Sequence, residues 1–386
     1  MQGQRADGRG GGRTAKPRRR HLYLVLDDWS LGYSIRKIDL SSHSHPNDPH
    51  QLLAAGVRRE GSVGEQLLPS AIFRVVAQRG LPMYFAGAFG TKIMAMHLGD
   101  DGDEADTHPV VPKRLVTAFD VRTRAMVFCP RPKQDRMSYP FYIPVGNRLL
   151  ALSASFQLLN PPEPNHPTGQ WCAPSWHELP EPPFDSRVVT SYAVHPDGQV
   201  IFVSIGKLIA PATFSFQMGE GNMEGRWEPL GDWILPFEGG AHYDAKLNAW
   251  VGISTYPDGI GHLSACDVIP GRQGQCLTWK VSKETFFSED PEEKHVGATL
   301  VYMGHSSKFC LVECVCIEDK HLAGRVYNYR EESPLPCRYL FRVSTFALKY
   351  DKNGDLTAGD SRRVRYYSVP GETTMLLLKY PVAFWM

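Results

Sequence analysis

The sequence predicts an all-β fold, a β-propeller of six blades closed by a C-terminal strand that completes the first blade. Three observations predict it. Apolar hairpins recur at roughly fifty-residue intervals, Gly and Pro punctuate many short apolar runs, and the chain ends in an apolar strand with no blade of its own.

The hairpins carry the count. Five segments place an aromatic residue in a short apolar strand, follow it with a Gly, Asn, Asp or Ser turn, and then resume with a second apolar strand. They are Phe85 with AGAFGTKIMAM, Phe141 with YIPVGNRLLAL, Tyr192 with AVHPDGQVIFV, Tyr243 with DAKLNAWVGI and Tyr302 with MGHSSKFCLV. The aromatic positions stand 56, 51, 51 and 59 residues apart, the length that a four-stranded blade occupies.

Each hairpin is followed by two more runs with strand alternation. The third strands are expected at Leu115–Val121, Ser155–Leu159, Ala212–Gln217, Leu263–Val268 and Tyr339–Leu348. The fourth are expected at Ala125–Cys129, Ser175–Leu179, Arg226–Leu230, Thr278–Val281 and Val364–Val369. Upstream, His21–Asp27, Tyr33–Leu40 and Ile72–Val76 supply three strands of a first blade. The C-terminal run ETTMLLLKYPVAFWM is expected as the fourth, hiding edges that an open ring would expose.

Composition agrees. Of 386 residues, 42% are hydrophobic and 22% charged, enough apolar surface for a core, and the 35 Gly and 30 Pro are spread along the chain. Residues 1–20 hold five glycines and seven Lys or Arg without a large aliphatic side chain, so they are expected as a disordered basic tail before a single domain over 21–386. Residues 41–66, polar and then Gly-containing, are expected as a long loop.

Fourth-strand strings add a resemblance. Trp176-His177-Glu178-Leu179-Pro180 and Arg226-Trp227-Glu228-Pro229-Leu230 resemble the Trp-x-x-Leu-Pro ending of kelch repeats, while the kelch double glycine survives only as Gly239-Gly240, ahead of its hairpin. Several longer strings, HLYLVLDDWSLGYSIRKIDL, SYAVHPDGQVIFVS, AHYDAKLNAWVG, GATLVYMGHSSKFCLVEC and STFALKYDKNGDL, are similar to a plant family expanded in grasses and catalogued as domain of unknown function 1668. The resemblance spans about residues 21 to 370. It implies a divergent kelch-type propeller in a plant, akin to F-box-associated propellers, and brings no reaction, cofactor or catalytic residue. An N-terminal helical F-box is not expected, since the first strand opens at His21 and Leu68–Val76 reads as a strand.

The candidate sites have bland competitors. Cys310, Cys314 and Cys316, with Cys337 and His305, suggest a thiolate zinc site. Strand alternation instead puts Cys310, Val312, Cys314 and Cys316 on one face, with i and i+4 about 13 Å apart, too far for one metal. Core packing is expected there, and no metal. His195-Pro196-Asp197-Gly198 is expected as a turn and not as an acid–base pair. The acidic run Asp100-Asp101-Gly102-Asp103-Glu104 with Asp106 lacks the ligand spacing of a calcium loop and is expected as a solvated connection. Trp176, Trp227, Trp233 and Trp250 are expected between blades. No phosphate-cradling, dinucleotide or nucleophile-elbow motif occurs, and the Tyr, His and Tyr–Cys set of copper-oxidase kelch relatives cannot be assembled, so no cofactor is expected.

One run points to cellular address. Lys16, Arg18, Arg19 and Arg20 have the form of a nuclear import signal, against the alternative of a solubilising tail. Balanced charge, a formal +1, makes neither nucleic acid nor membrane an expected partner. Eight cysteines behind no apolar N-terminal leader read as reduced thiols in the cytoplasm or nucleus. The expected function is a monomeric, non-enzymatic protein-interaction scaffold. Its competitors are a channel-sited enzyme or carbohydrate-binding propeller and a nuclear regulatory protein.

Overall fold

The computed structural model describes residues 19–40, 64–77, 84–96, 115–133, 140–161, 176–206, 209–219, 225–255, 259–268, 277–304, 306–318 and 337–386. The chain is all-β and propeller-like in its strand order. β1 (Leu22–Trp29) and β2 (Gly32–Ile38) form a hairpin, β3 (Gln66–Leu67) is a two-residue strand, and β4 (Ala71–Val76) pairs with β2. A second sheet runs β5 (Tyr84–Ala88), β6 (Lys92–Met96), β7 (Leu115–Asp120) and β8 (Ala125–Pro130) in order. A third contains β9 (Phe141–Val145), β10 (Arg148–Leu152), β11 (Phe156–Leu159) and β12 (Trp176–Glu178).

Two further antiparallel arrays share one eight-stranded sheet. They are β13 (Val189–Val194), β14 (Val200–Ile205), β15 (Ala212–Gln217) and β16 (Arg226–Gly231), then β17 (Phe237–Asp244), β18 (Ala249–Ser254), β19 (Leu263–Asp267) and β20 (Trp279–Val281). Their first strands join in parallel at Ser191 with Gly239 and Tyr192 with Gly240. The close approach requires glycine, because a Cβ on Gly240 would lie 2.7 Å from the Tyr192 ring.

The last array is β21 (Glu293–Tyr302), β22 (Lys308–Glu318), β23 (Cys337–Ala347) and, after the small β24 (Lys349–Tyr350) and β25 (Leu356–Thr357) ladder, β26 (Arg363–Ser368). The chain then forms the helix α1 (Met375–Lys379) and the strand β27 (Val382–Trp385). β27 pairs antiparallel with β1, Leu22 opposite Trp385 and Val25 opposite Val382.

Middle strands such as β10, β14 and β22 are packed on both faces, which is why RLLAL, VIFVSI and CLVECVC read as nearly continuous apolar runs. Each of six hydrophobic clusters is shared by two successive arrays. Val25 and Ile35 meet Ile93 and Phe119, Met94 and Val116 meet Leu149 and Leu159, and Leu150 and Phe156 meet Ile201 and Phe216. Ala193 and Phe202 meet Trp250 and Cys266, Val251 and Leu263 meet Phe309 and Phe346, and Cys310 and Phe341 pack back onto Leu22 and Leu24. Each fully buried Leu or Phe in these seams contributes about 1.5–3 kcal/mol. Indole donors reinforce them, with Trp176 Nε1 giving to the Pro130 carbonyl at 2.8 Å, Trp227 to Pro180 at 3.1 Å and Trp250 to Val194 at 2.8 Å.

Two expectations need correction. Only Val382–Trp385 of the C-terminal run is strand; Met375–Lys379 is a single helical turn that buries Leu377 against Tyr23 and Ile93 and Leu378 in the separate cluster of Leu22 and Val301, while Met375 and Tyr380 stay exposed. Part of the expected 41–66 loop is also structured, since Gln66 opens β3, which adds in parallel to the outer edge of β26 through Tyr367 with Gln66 and Ser368 with Leu67. Residues 41–63 and the tail to residue 18 lie outside the described residues.

Candidate functional site

Antiparallel neighbours put three features of every array at the same end: the start of the first strand, the turn between second and third, and the end of the fourth. At this end, between the fifth and sixth arrays, lie the connection 282–292, the turn 259–262 and the beginning of β21. A row of polar side chains crosses the sixth array here. Glu313 on β22 is in cross-strand register with Arg342 on β23, which is in register with Tyr366 on β26.

Glu313 is fully buried, on the strand face that carries Phe309 and Leu311. A buried carboxylate needs compensation, and three groups supply it through four contacts. Arg342 Nη1 donates to its Oε2 at 2.9 Å, the Ser288 backbone N–H donates to both oxygens at 3.0 and 3.2 Å, and His295 Nδ1 lies 2.9 Å from Oε1. The His295 ring stacks on Phe287, centroids 3.9 Å apart. A carboxylate only accepts, so Nδ1 is the donor in this contact and Nε2 is turned away from Glu313. Nε2 has no hydrogen-bond partner among the described residues.

The same groups grip the backbone of the connection. Arg342 Nη1 also donates to the Phe286 carbonyl at 2.8 Å, while Arg362 donates to the Thr285 carbonyl at 2.6 Å and to Phe286 at 2.8 Å. Burial, and then the neighbouring Arg342 charge, lower the proton affinity of Arg362. The Tyr366 hydroxyl donates to Glu293 at 3.2 Å, and the Ser288 hydroxyl donates to the same carboxylate. The turn 259–262 is tied in by the Phe286 N–H to the Gly261 carbonyl at 2.7 Å and by His262, whose ring nitrogens contact the Ser282 carbonyl at 2.8 Å and the Thr285 hydroxyl at 3.2 Å.

What this framework presents outward is mixed. Ile260 is 73% exposed beside the pinned Gly261, and Glu289, Asp290 and Glu292 are exposed on the connection. Chemically, the arrangement can hold a loop in one conformation and keep one oriented imidazole nitrogen at the surface.

The sequence-predicted residues lie elsewhere. Lys16 and Arg18 are outside the described residues; Arg19 lies 3.7 Å from Asp39, and the Arg20 guanidinium comes against Gly304. The run 100–106, His305, Cys172 and Cys276 are likewise outside. Cys310 and Cys314 are fully buried, and burial pushes their thiols up to about 12. Among the described residues no group of three metal-ligating side chains occurs, and no helix is long and apolar enough to cross a membrane. His195-Pro196-Asp197-Gly198 is a turn, closed by the Gly198 N–H on the His195 carbonyl at 2.9 Å with Gly198 at φ +68°. Sequence reasoning missed Glu313, Arg342, Arg362 and His295. One signal was available: Glu313 interrupts FCLVECVCIE, and Arg342 interrupts LFRVSTF, each a charge inside an apolar strand.

No curated protein matches the chain. Among solved structures it is similar to a periplasmic gluconolactonase from Pseudomonas aeruginosa, 11% identical, covering 91% of this chain and 99% of that one with a TM-score of 0.40. It is also similar to TolB from Acinetobacter baumannii, 15% identical, covering 78% and 68% with a TM-score of 0.34. A third is a PQQ-bound aldose sugar dehydrogenase from Streptomyces coelicolor, 11% identical, covering 77% and 93% with a TM-score of 0.36. The family described as protein of unknown function (DUF1668) matches residues 19–367, and the chain belongs to that family.

Proposed function

We propose that the chain is a non-enzymatic protein-interaction scaffold, a closed kelch-like ring of six blades that holds a partner protein on the end carrying residues 259–262 and 282–295. The observation that supports this reading is the pinning of connection 282–292. A buried carboxylate and two buried or half-buried guanidiniums fix its backbone while Ile260, Glu289, Asp290 and Glu292 face outward. A loop fixed before encounter loses little conformational freedom on binding, which is how a rigid ring turns surface loops into recognition elements. An exposed aliphatic side chain beside charged neighbours is the usual make-up of an anchor with a polar rim.

The test is proximity labelling in the native tissue with the wild-type chain and with an I260E variant. Specific proteins labelled by the wild type and depleted at least several-fold in the variant, at unchanged melting temperature, are expected. Identical labelling from both proteins sinks the assignment to this end, and no specific labelling from a folded wild type sinks the scaffold reading altogether.

A second reading, an enzyme, is favoured by one observation: His295 offers an oriented Nε2 backed by a buried carboxylate, the arrangement of a general base. Screening purified protein on chromogenic esters and glycosides tests it. Turnover that disappears in H295A supports the enzyme; none above background removes it.

A further inference from the structure

We propose that Cys316 and Cys337 form a redox site, a dithiol that closes to a disulfide at the expense of glutathione disulfide. The two residues come from adjacent strands, Cys316 near the end of β22 and Cys337 at the opening of β23. The register pairs Cys316 with Tyr339 and Glu318 with Cys337, so both side chains share one face and are diagonal neighbours. Their thiols are within hydrogen-bonding reach of each other. Both are reduced. A diagonal pair, about 7–8 Å apart, lies just beyond what a disulfide spans without backbone movement. Cys337 begins its strand, so closing the gap moves one strand end and leaves the middle of the ladder intact.

The two thiols differ in access, and the difference sets an order of reaction. Cys337 is half-buried, whereas Cys316 is 7% exposed. Burial first, and then the contact with Cys337, push the Cys316 thiol up to about 12, which leaves it unreactive while the pair is reduced. Cys337 is therefore the entry thiol. Its thiolate attacks one sulfur of glutathione disulfide, forming a mixed disulfide and expelling one glutathione thiolate. Cys316 then loses its proton and attacks the Cys337 sulfur, expelling the second glutathione. Two electrons pass from the protein dithiol to glutathione disulfide, and the two thiol protons leave with the two glutathiones.

The full-length reduced chain is equilibrated across glutathione buffers of increasing disulfide fraction, quenched with N-ethylmaleimide and mapped by peptide mass spectrometry without reduction. A cross-linked peptide joining Cys316 to Cys337, two hydrogens lighter than the separate thiols, is expected, and it should persist in C314S. In C316S a stable glutathione adduct should accumulate on Cys337, since the resolving thiol is gone. Alkylation of both thiols across the whole buffer range overturns the proposal. So does a wild-type chain that keeps the glutathione adduct on Cys337, or a cross-link from Cys337 to any other cysteine. The wild-type arm decides the matter even where C316S does not fold.

Discussion

Glu313 and Arg342 face each other across β22 and β23 in exact register, 2.9 Å apart, and neither side chain is open to solvent. Such a pair is costly to break from one side. Replacing only Glu313 by Ala strands a buried guanidinium and releases Ser288 and His295, so E313A should lower unfolding stability by about 3–5 kcal/mol. The double variant E313L/R342M, which removes both charges, should recover much of that loss. Urea denaturation of the three proteins checks the order, and a double variant as unstable as the single would refute it.

The indole of Trp250 is fully buried and gives its Nε1 hydrogen to the Val194 carbonyl at 2.8 Å. W250F leaves that carbonyl unpaired and opens space at the seam between the fourth and fifth arrays. A loss of about 1–3 kcal/mol is expected, measured as a lower denaturation midpoint with an unchanged slope.

Gly297 packs directly on the last turn of α1, where a Cβ would overlap the Lys379 carbonyl. G297A must therefore push α1 and the approach to β27 away from β21, costing about 1–3 kcal/mol as overpacking. Hydrogen exchange should report faster amide exchange in residues 375–385 than in β10, whose protection should stay at the wild-type level.

Stability should also fall with acid in a defined window. His242, whose Nε2 lies 2.9 Å from the Leu300 carbonyl, and His21 both have their pKa lowered below 6.5, in each case chiefly by burial. A lowered histidine pKa means the unfolded chain binds protons first, so the contribution is fully present above about pH 6.5 and is lost as pH falls below it. H242Q should flatten part of that slope. Thermal melts between pH 5 and about 8 provide the measurement, and a slope of opposite sign, with stability rising on acidification, would contradict the assignment.

Removing residues 381–386 deletes β27 and bares the edge of β1, whose side chains Leu22, Leu24 and Leu26 are buried. An unpaired apolar edge recruits other strands. The truncated chain is expected to associate, and light scattering should show species larger than monomer where the full chain shows fewer.

Much of the fold was legible because a strand writes its burial into period-two alternation and a hairpin writes its turn into Gly, Asn and Asp. Val189–Val194 alternates buried and half-buried residues throughout, and its turn ends in a glycine at positive φ. The run Met375–Leu378 carried no such signal, since four apolar residues fit a helix or a strand equally well. Gln66–Leu67 is too short for any period. The polar framework was illegible for a different reason. Phe286, His295, Glu313, Arg342 and Arg362 come from five segments whose proximity depends on strand register. Alternation likewise gave the shared face of Cys310, Cys314 and Cys316, yet the pairing of Cys316 with Cys337 follows only from the offset between β22 and β23.

The pairing of β27 with β1 also sets how the molecule bears force. The backbone N–H of His21 meets the Met386 carbonyl at 2.7 Å, and the reciprocal bond is 3.1 Å. Because the two strands are antiparallel, residues 21 and 386 sit at the same end of the ladder, and tension applied between them loads one rung at a time. The seam would peel open from that end instead of shearing as a block, so a protein that hides its strand edges well against association is mechanically soft along the line joining those two residues.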